Sequence, residues 1–163
     1  MKNKKRQTQI SEIGEFGLID KIQKSTQNNN NLTRKGIGDD AAVVSARKAD
    51  EILISSDLLI EGIHFDCSYM SLAHVGYKSI MVNLSDIYAM NAKPSQITVS
   101  LAISNRYTVE DIEELYKGIN MAAKKHKVNV VGGDISSSYS GLTISVSVIG
   151  FQSKEKIVYR EGA

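Results

Sequence analysis

The 163-residue sequence has one cysteine, Cys67, and one proline, Pro94. A single thiol excludes an internal disulfide and any cysteine-rich zinc site, and it makes a reducing cytoplasm the natural compartment. No uninterrupted apolar run approaches the roughly 20 residues needed to span a bilayer. The basic opening MKNKKR is followed by QTQ rather than an apolar segment, so no secretory signal is read there. Twenty basic against eighteen acidic residues leave a formal charge of +2, too small to imply a nucleic-acid or anionic-membrane partner. Six basic-arm residues without aromatics are a weak nucleic-acid signal. What is present is a 42% hydrophobic composition, enough for the core of one ordinary domain.

Residues 1–10 are expected to be a disordered basic arm and residues 11–163 one domain. Scattered apolar residues in Ser11 to Thr26 predict a short helix, and the polar Gln27 to Asn31 a surface loop. Ala41 to Val44 and Glu51 to Ile60 read as strands. Leu72 to Met90 is apolar on nearly all sides, a helix buried on more than one face that NAKP, with Pro94, brings to an end. Ser95 to Ile103 alternates as a strand with one covered face. In Tyr107 to His126, Thr108 and Asp111 resemble a capping box, and Ile112, Leu115, Tyr116 and Ile119 recur at helical spacing. Val128 to Asp134 reads as a strand running into a glycine turn, and Gly141 to Phe151 as a long alternating strand. The order predicts an α/β or α+β domain with a mixed sheet packed by helices.

Five carboxylates stand at or near the ends of apolar elements: Asp39, Asp40, Asp57, Asp86 and Asp134. Each has a plain structural reading, such as a turn at GDD or after Gly132 and Gly133. A charge amid ILISSDLLI is harder to dismiss, because burying it without a partner costs several kcal/mol. Taken together they predict an acidic cluster for a hard cation, Mg²⁺ above all, with Ser55 and Ser56 adding oxygen ligands. Gly36, Gly38, Gly132 and Gly133 would let backbone N–H groups approach a phosphate. Bare carboxylates repel a phosphate by about 4 kcal/mol per pair at close range. Glycines and aspartates therefore point to a Mg²⁺-bridged polyphosphate site.

The stretches SEIGEFGLIDKI, GIGDDAAVV, SSDLLIEGIHFD, YKSIMVNLSDIYAMNAKP, VGGD and YREGA, in this order, resemble the N-terminal domain of thiamine-monophosphate kinase, in the aminoimidazole ribonucleotide synthetase-like superfamily. The resemblance implies ATP-dependent phosphorylation of thiamine monophosphate to thiamine diphosphate with Mg²⁺. It implies metal ligands at Asp40, Ser55, Ser56, Asp57, Asp86 and Asp134. It also implies substrate contact at His64 and ATP contacts at Tyr116, Gly133, Asp134 and Arg160. The family's T-T-R after GGD is ISSS here, so no ATP contact is implied there. A homodimer joining two sheets is a further implication, as is a C-terminal domain to which nothing in this sequence corresponds; the chain is then expected to be the N-terminal half. Another ATP-dependent enzyme of the superfamily and a non-catalytic metal-binding dimerisation module remain alternatives.

Overall fold

The computed structural model describes residues 7–37, 43–44 and 50–159. Its elements are α1 (Ile10–Ser25), β1 (Thr33–Lys35), β2 (Val43–Val44), β3 (Asp50–Ile60), α2 (Leu72–Ala89), β4 (Lys93–Ile103), α3 (Val109–His126), β5 (Asn129–Ser137) and β6 (Leu142–Ser153). A four-stranded sheet has the order β3-β6-β4-β5, with β4 and β5 parallel and the other pairs antiparallel. β1 and β2 pair as a separate two-stranded ribbon. Among the described residues no helix is long and apolar enough to cross a membrane.

Alternation along the strands decides which face is covered. Leu53 and Leu59 of β3, Ile97, Val99 and Leu101 of β4, and Ile144, Val146 and Val148 of β6 are buried with Ile80, Leu84 and Ile87 of α2 and Ile112, Leu115 and Ile119 of α3. On the opposite face of β3, Ile52, Ile54 and Leu58 are more than half exposed. The sheet is therefore covered by helices on one side and open on the other at this edge.

The two central helices approach backbone to backbone. A Cβ placed on Gly118 would lie 1.8 Å from the Ala73 carbonyl oxygen, and one on Gly76 would lie 2.1 Å from that of Leu115. Only hydrogen fits at either position. α3 begins with the expected capping box, Thr108 Oγ1 accepting from Asp111 N and the Asp111 carboxylate accepting from Thr108 N. Its basic last turn, Lys124 to His126, suits the negative end of the helix dipole.

Several expectations are corrected. The Val128 to Asp134 segment does not turn at its glycines; β5 continues through Gly132 and Gly133 to Ser137, with a register shift against β4 between the Ile97–Val130 and Thr98–Gly132 pairs. Gly133 is required by close approach to β4, since a Cβ there would meet the Val99 carbonyl oxygen at 1.8 Å. α2 stops at Ala89, before the proline, with Asn91 left-handed, and Pro94 is the second residue of β4. α1 is broken at Gly14, whose φ of 67° is left-handed. At the edge of the basic arm, Thr8 and Gln9 are tied to the start of α3: Val109 N donates to Thr8 O at 2.9 Å, and Thr8 N to Glu110 Oε2 at 2.8 Å. The Asn-rich loop is pinned by fully buried Asn129, whose Oδ1 accepts from Asn29 N and Asn30 N and whose Nδ2 donates to Thr33 Oγ1.

Gly118→Ala should lower stability by about 3 kcal/mol or more, because backbone has no room to yield. Urea denaturation checks this; a loss below about 0.5 kcal/mol, the range of an ordinary surface change, would contradict the close packing.

Candidate functional site

Ser55 and Asp57 share the helix-facing side of β3 with Leu53 and Leu59, where α2 passes over them. Asn83 joins the two elements. Fully buried, it accepts through Oδ1 from the Asp57 backbone N–H at 3.0 Å and donates through Nδ2 to Ser79 O at 3.0 Å. One helical turn later, Asp86 Oδ2 accepts from Ser55 Oγ at 2.7 Å. Ser55 and Asp86 line a cavity of about 970 Å³ together with Lys154 and Tyr159. Asn83 is a residue whose role the sequence reading did not assign. Its signal was there, a polar residue one turn from Asp86 on an otherwise apolar helix.

Ser55, Asp57 and Asp86 carry side-chain oxygen atoms, the donor type of a hard cation. Among the described residues no three His, Cys, Asp or Glu side chains gather as a metal group. A cation here would complete its shell with water or phosphate oxygens, which is how Mg²⁺ is ordinarily held. Asp39, Asp40 and Arg160 lie outside the described residues. Ser56 points to the opposite face of the strand, its hydroxyl 3.0 Å from Ser147 Oγ and 3.2 Å from Val146 O. It is not in the same group as Ser55.

Asp134 does not join this group either, which corrects the expectation of one cluster within the chain. Asp57 pairs with Val146, Val146 with Val99, and Val99 with Gly133, so the two aspartates stand on opposite edge strands. Three strand spacings separate them, roughly 14 Å. Asp134 belongs instead to a second cavity of about 480 Å³, where Tyr116, Gly132, Gly133 and Ile135 meet Phe16 and Ile19 of α1. Tyr116 is 5% exposed, so it serves the core and the cavity wall together. Burial pushes its hydroxyl well above the usual phenol range.

His64 stands in the loop after β3. Its Nδ1 accepts from Ile60 N at 3.0 Å, which leaves Nε2 as the N–H donor of the neutral ring. Lys78 Nζ donates to the His64 carbonyl at 2.5 Å. Glu61 fixes this loop: its carboxylate accepts from the Tyr107 hydroxyl at 2.8 Å, from Leu142 N at 2.9 Å and from the Arg106 guanidinium. The reading of EGIHFD singled out the histidine and overlooked the glutamate that anchors it. Cys67 Sγ lies 3.6 Å from the Tyr107 hydroxyl, and burial pushes its thiol up.

The model of the AIR synthase related protein, N-terminal domain, matches residues 38–152. The chain belongs to this family. Thiamine-monophosphate kinase of Bacillus subtilis strain 168 is 38% identical over 138 residues, covering 85% of this chain and 42% of the relative. That of Aquifex aeolicus strain VF5 is 40% identical over 154 residues, covering 94% of this chain and 47% of the relative. The crystal structure of thiamine-monophosphate kinase from Stenotrophomonas maltophilia K279a superposes with a TM-score of 0.76 at 30% identity, over 91% of this chain and 45% of that one. AaThiL complexed with AMPPCP and TMP superposes with a TM-score of 0.66 at 37% identity, over 98% and 48%. The chain therefore spans about half the length of the curated relatives it matches. The hydrogenase maturation protein HypE, 16% identical with a TM-score of 0.69, shares the fold. The AIR synthase related match thus spans β3 to β6, the elements that carry Ser55, Asp57, Asp86 and Asp134.

Asn83→Ala leaves the Ser79 carbonyl and the Asp57 amide without this partner, and should cost about 2 to 3 kcal/mol while speeding hydrogen exchange at the Asp57 amide. Unchanged exchange would remove Asn83 as the link between strand and helix. Cys67 should react with iodoacetamide more slowly in the native chain than in urea at pH 8. With the folded pKa raised, the thiol form's stabilisation is complete below the ordinary thiol range and fades as pH rises through the folded value. Equal native and unfolded rates would contradict the burial.

Proposed function

We propose that this chain is the cation- and nucleotide-binding half of a kinase that transfers the γ-phosphoryl group of ATP to thiamine monophosphate, giving thiamine diphosphate. One observation carries the reading: Asn83 holds the Asp57 backbone to α2, and Asp86, one turn on, accepts from Ser55, in a chain related to thiamine-monophosphate kinases. A solved relative complexed with AMPPCP and TMP supports the substrate pair.

The roles follow from the chemistry. Asp57 and Asp86, with the Ser55 hydroxyl, would hold Mg²⁺, with Asp40 a further proposed ligand. The ion, when bound, neutralises charge on the transferring phosphoryl oxygens. Asn83 keeps strand and helix in register. The second cavity takes the nucleoside end of ATP against Tyr116, with Asp134 at its rim. His64 offers a neutral N–H donor to the acceptor substrate, and Arg160 a guanidinium to phosphate. A general base is hardly needed, since the attacking phosphate is already ionised near neutral pH.

A homodimer completes the proposal. Ile52, Ile54 and Leu58 on the open face of β3 are the kind of apolar surface that a second copy covers. Two four-stranded sheets closing edge to edge would set β5 of one copy beside β3 of the other, an arrangement that brings Asp134 back toward a cation site. A single free thiol agrees with a cytoplasmic setting.

Isothermal titration of the chain with Mg²⁺ and a methylene analogue of ATP tests the site. Asp57→Asn and Asp86→Asn should each weaken Mg²⁺-dependent binding tenfold or more, with the thermal midpoint retained. In the intact kinase each should cut turnover about a hundredfold or more, the scale of losing a transition-state charge stabiliser. Normal turnover at saturating Mg²⁺ would refute the ligand role. Ile54→Asp should shift the chain from dimer to monomer in light scattering; a wild-type monomer at high concentration would refute the dimer.

A further inference from the structure

Glu61 follows the last residue of β3, and partners from two distant segments meet on its carboxylate. Oε2 accepts from the Tyr107 hydroxyl at 2.8 Å and from Leu142 N at 2.9 Å, while Oε1 accepts from the Arg106 guanidinium. Its backbone N–H donates to Leu142 O at 3.0 Å, so one residue grips the start of β6 twice. The Arg106 guanidinium also donates to the Tyr107 hydroxyl oxygen at 2.9 Å, and its Cζ lies 4.9 Å from the ring centroid. The phenol proton is then free for Glu61, and burial keeps that hydroxyl protonated.

The Glu61 side chain is only 13% exposed. A covered ion pair of this kind adds little to stability over apolar packing, and its best-attested use is to fix one arrangement against others. The arrangement at stake is the loop that follows. Gly62 turns it with a φ of 80° and donates to the carbonyl of buried Phe65 at 2.8 Å. His64 N donates back to Ile60 O at 2.8 Å, while Ile60 N donates to His64 Nδ1 at 3.0 Å. The imidazole is thus bonded to the residue that precedes Glu61, and that strand end sets its tautomer.

We infer that Glu61 is a positioning residue for the acceptor substrate: clamped by Arg106, Tyr107 and Leu142 N, it sets the loop that presents the His64 Nε2–H to thiamine monophosphate. This inference rests on the acceptor reading of His64 above. Only a carboxylate fits the clamp, since every described partner is a donor. An amide keeps the shape but brings an NH₂ group against a donor whichever way it turns.

The test is a double-variant cycle in the intact kinase, reading KM for each substrate. Glu61→Gln should raise KM for thiamine monophosphate about tenfold, the scale of a misplaced hydrogen bond, and leave KM for ATP within about twofold. His64→Ala should raise the same KM, and adding Glu61→Gln to it should raise it no further. Arg106→Gln, at a half-exposed position that folding tolerates, should shift the same KM in the same direction, so the test stands even if Glu61→Gln does not fold. In this chain, ¹⁵N correlation of the His64 ring should show one Nε2–H tautomer, and a mixture in either clamp variant. Equal rises in both KM values, additive effects in the double variant, or clamp variants with wild-type KM and a single tautomer would overturn the inference. His64→Ala with wild-type KM for thiamine monophosphate would overturn the acceptor reading of His64 and this inference with it.

Discussion

The contact between α2 and α3 at Gly76 and Gly118 is the constraint on which the rest depends. With carbonyl oxygens of each helix where the other's Cβ would be, the pair can close to one separation. α3 in turn is the crossover between parallel β4 and β5, so its position fixes where α2 lies over β3. The Asn83 amide can then reach the Asp57 N–H, and Asp86 can reach Ser55. A buried amide amid Ile80, Leu84 and Ile87 tolerates few alternatives, since any slip between helix and strand would leave it unpaired in an apolar core. Packing thus dictates polar geometry.

The separation of the candidate residues into two groups has a physical origin in strand order. β3 and β5 are the edges of the four-stranded sheet, and each edge meets a different helix: α2 near β3, α1 near β5. One edge offers carboxylates and a hydroxyl, the other an apolar hollow with carboxylates at its rim. A nucleotide is chemically divided in the same manner, with a charged end that needs a cation and a flat end that needs apolar cover. The proposed function draws on that correspondence.

Much of this was legible from residue patterns. The Thr108 and Asp111 cap, the apolar spacing of α3 and the alternation in β4 and β6 are local signals, and the structure follows them. So is Asp57, an ionisable group where a strand should be apolar. What failed depends on partners distant in sequence. Gly132 and Gly133 read as a turn because glycine pairs usually make one, but the β4 backbone beside Gly133 makes a strand the answer. Asp134 was grouped with Asp57 because both end apolar runs, and nothing in the runs reveals that β6 and β4 lie between them. Glu61 escaped notice because its partners, Arg106, Tyr107 and Leu142 N, come from two later segments.

The central proposal is that Ser55, Asp57 and Asp86 would hold one divalent cation on the β3 and α2 side of the sheet. Paramagnetic broadening of the ¹⁵N-labelled chain by substoichiometric Mn²⁺ tests it most directly. The account predicts that amide signals of 55–57 and 85–87 fade together, before those of 132–134 on the far edge. Broadening that begins elsewhere, or that leaves both segments sharp, would contradict it.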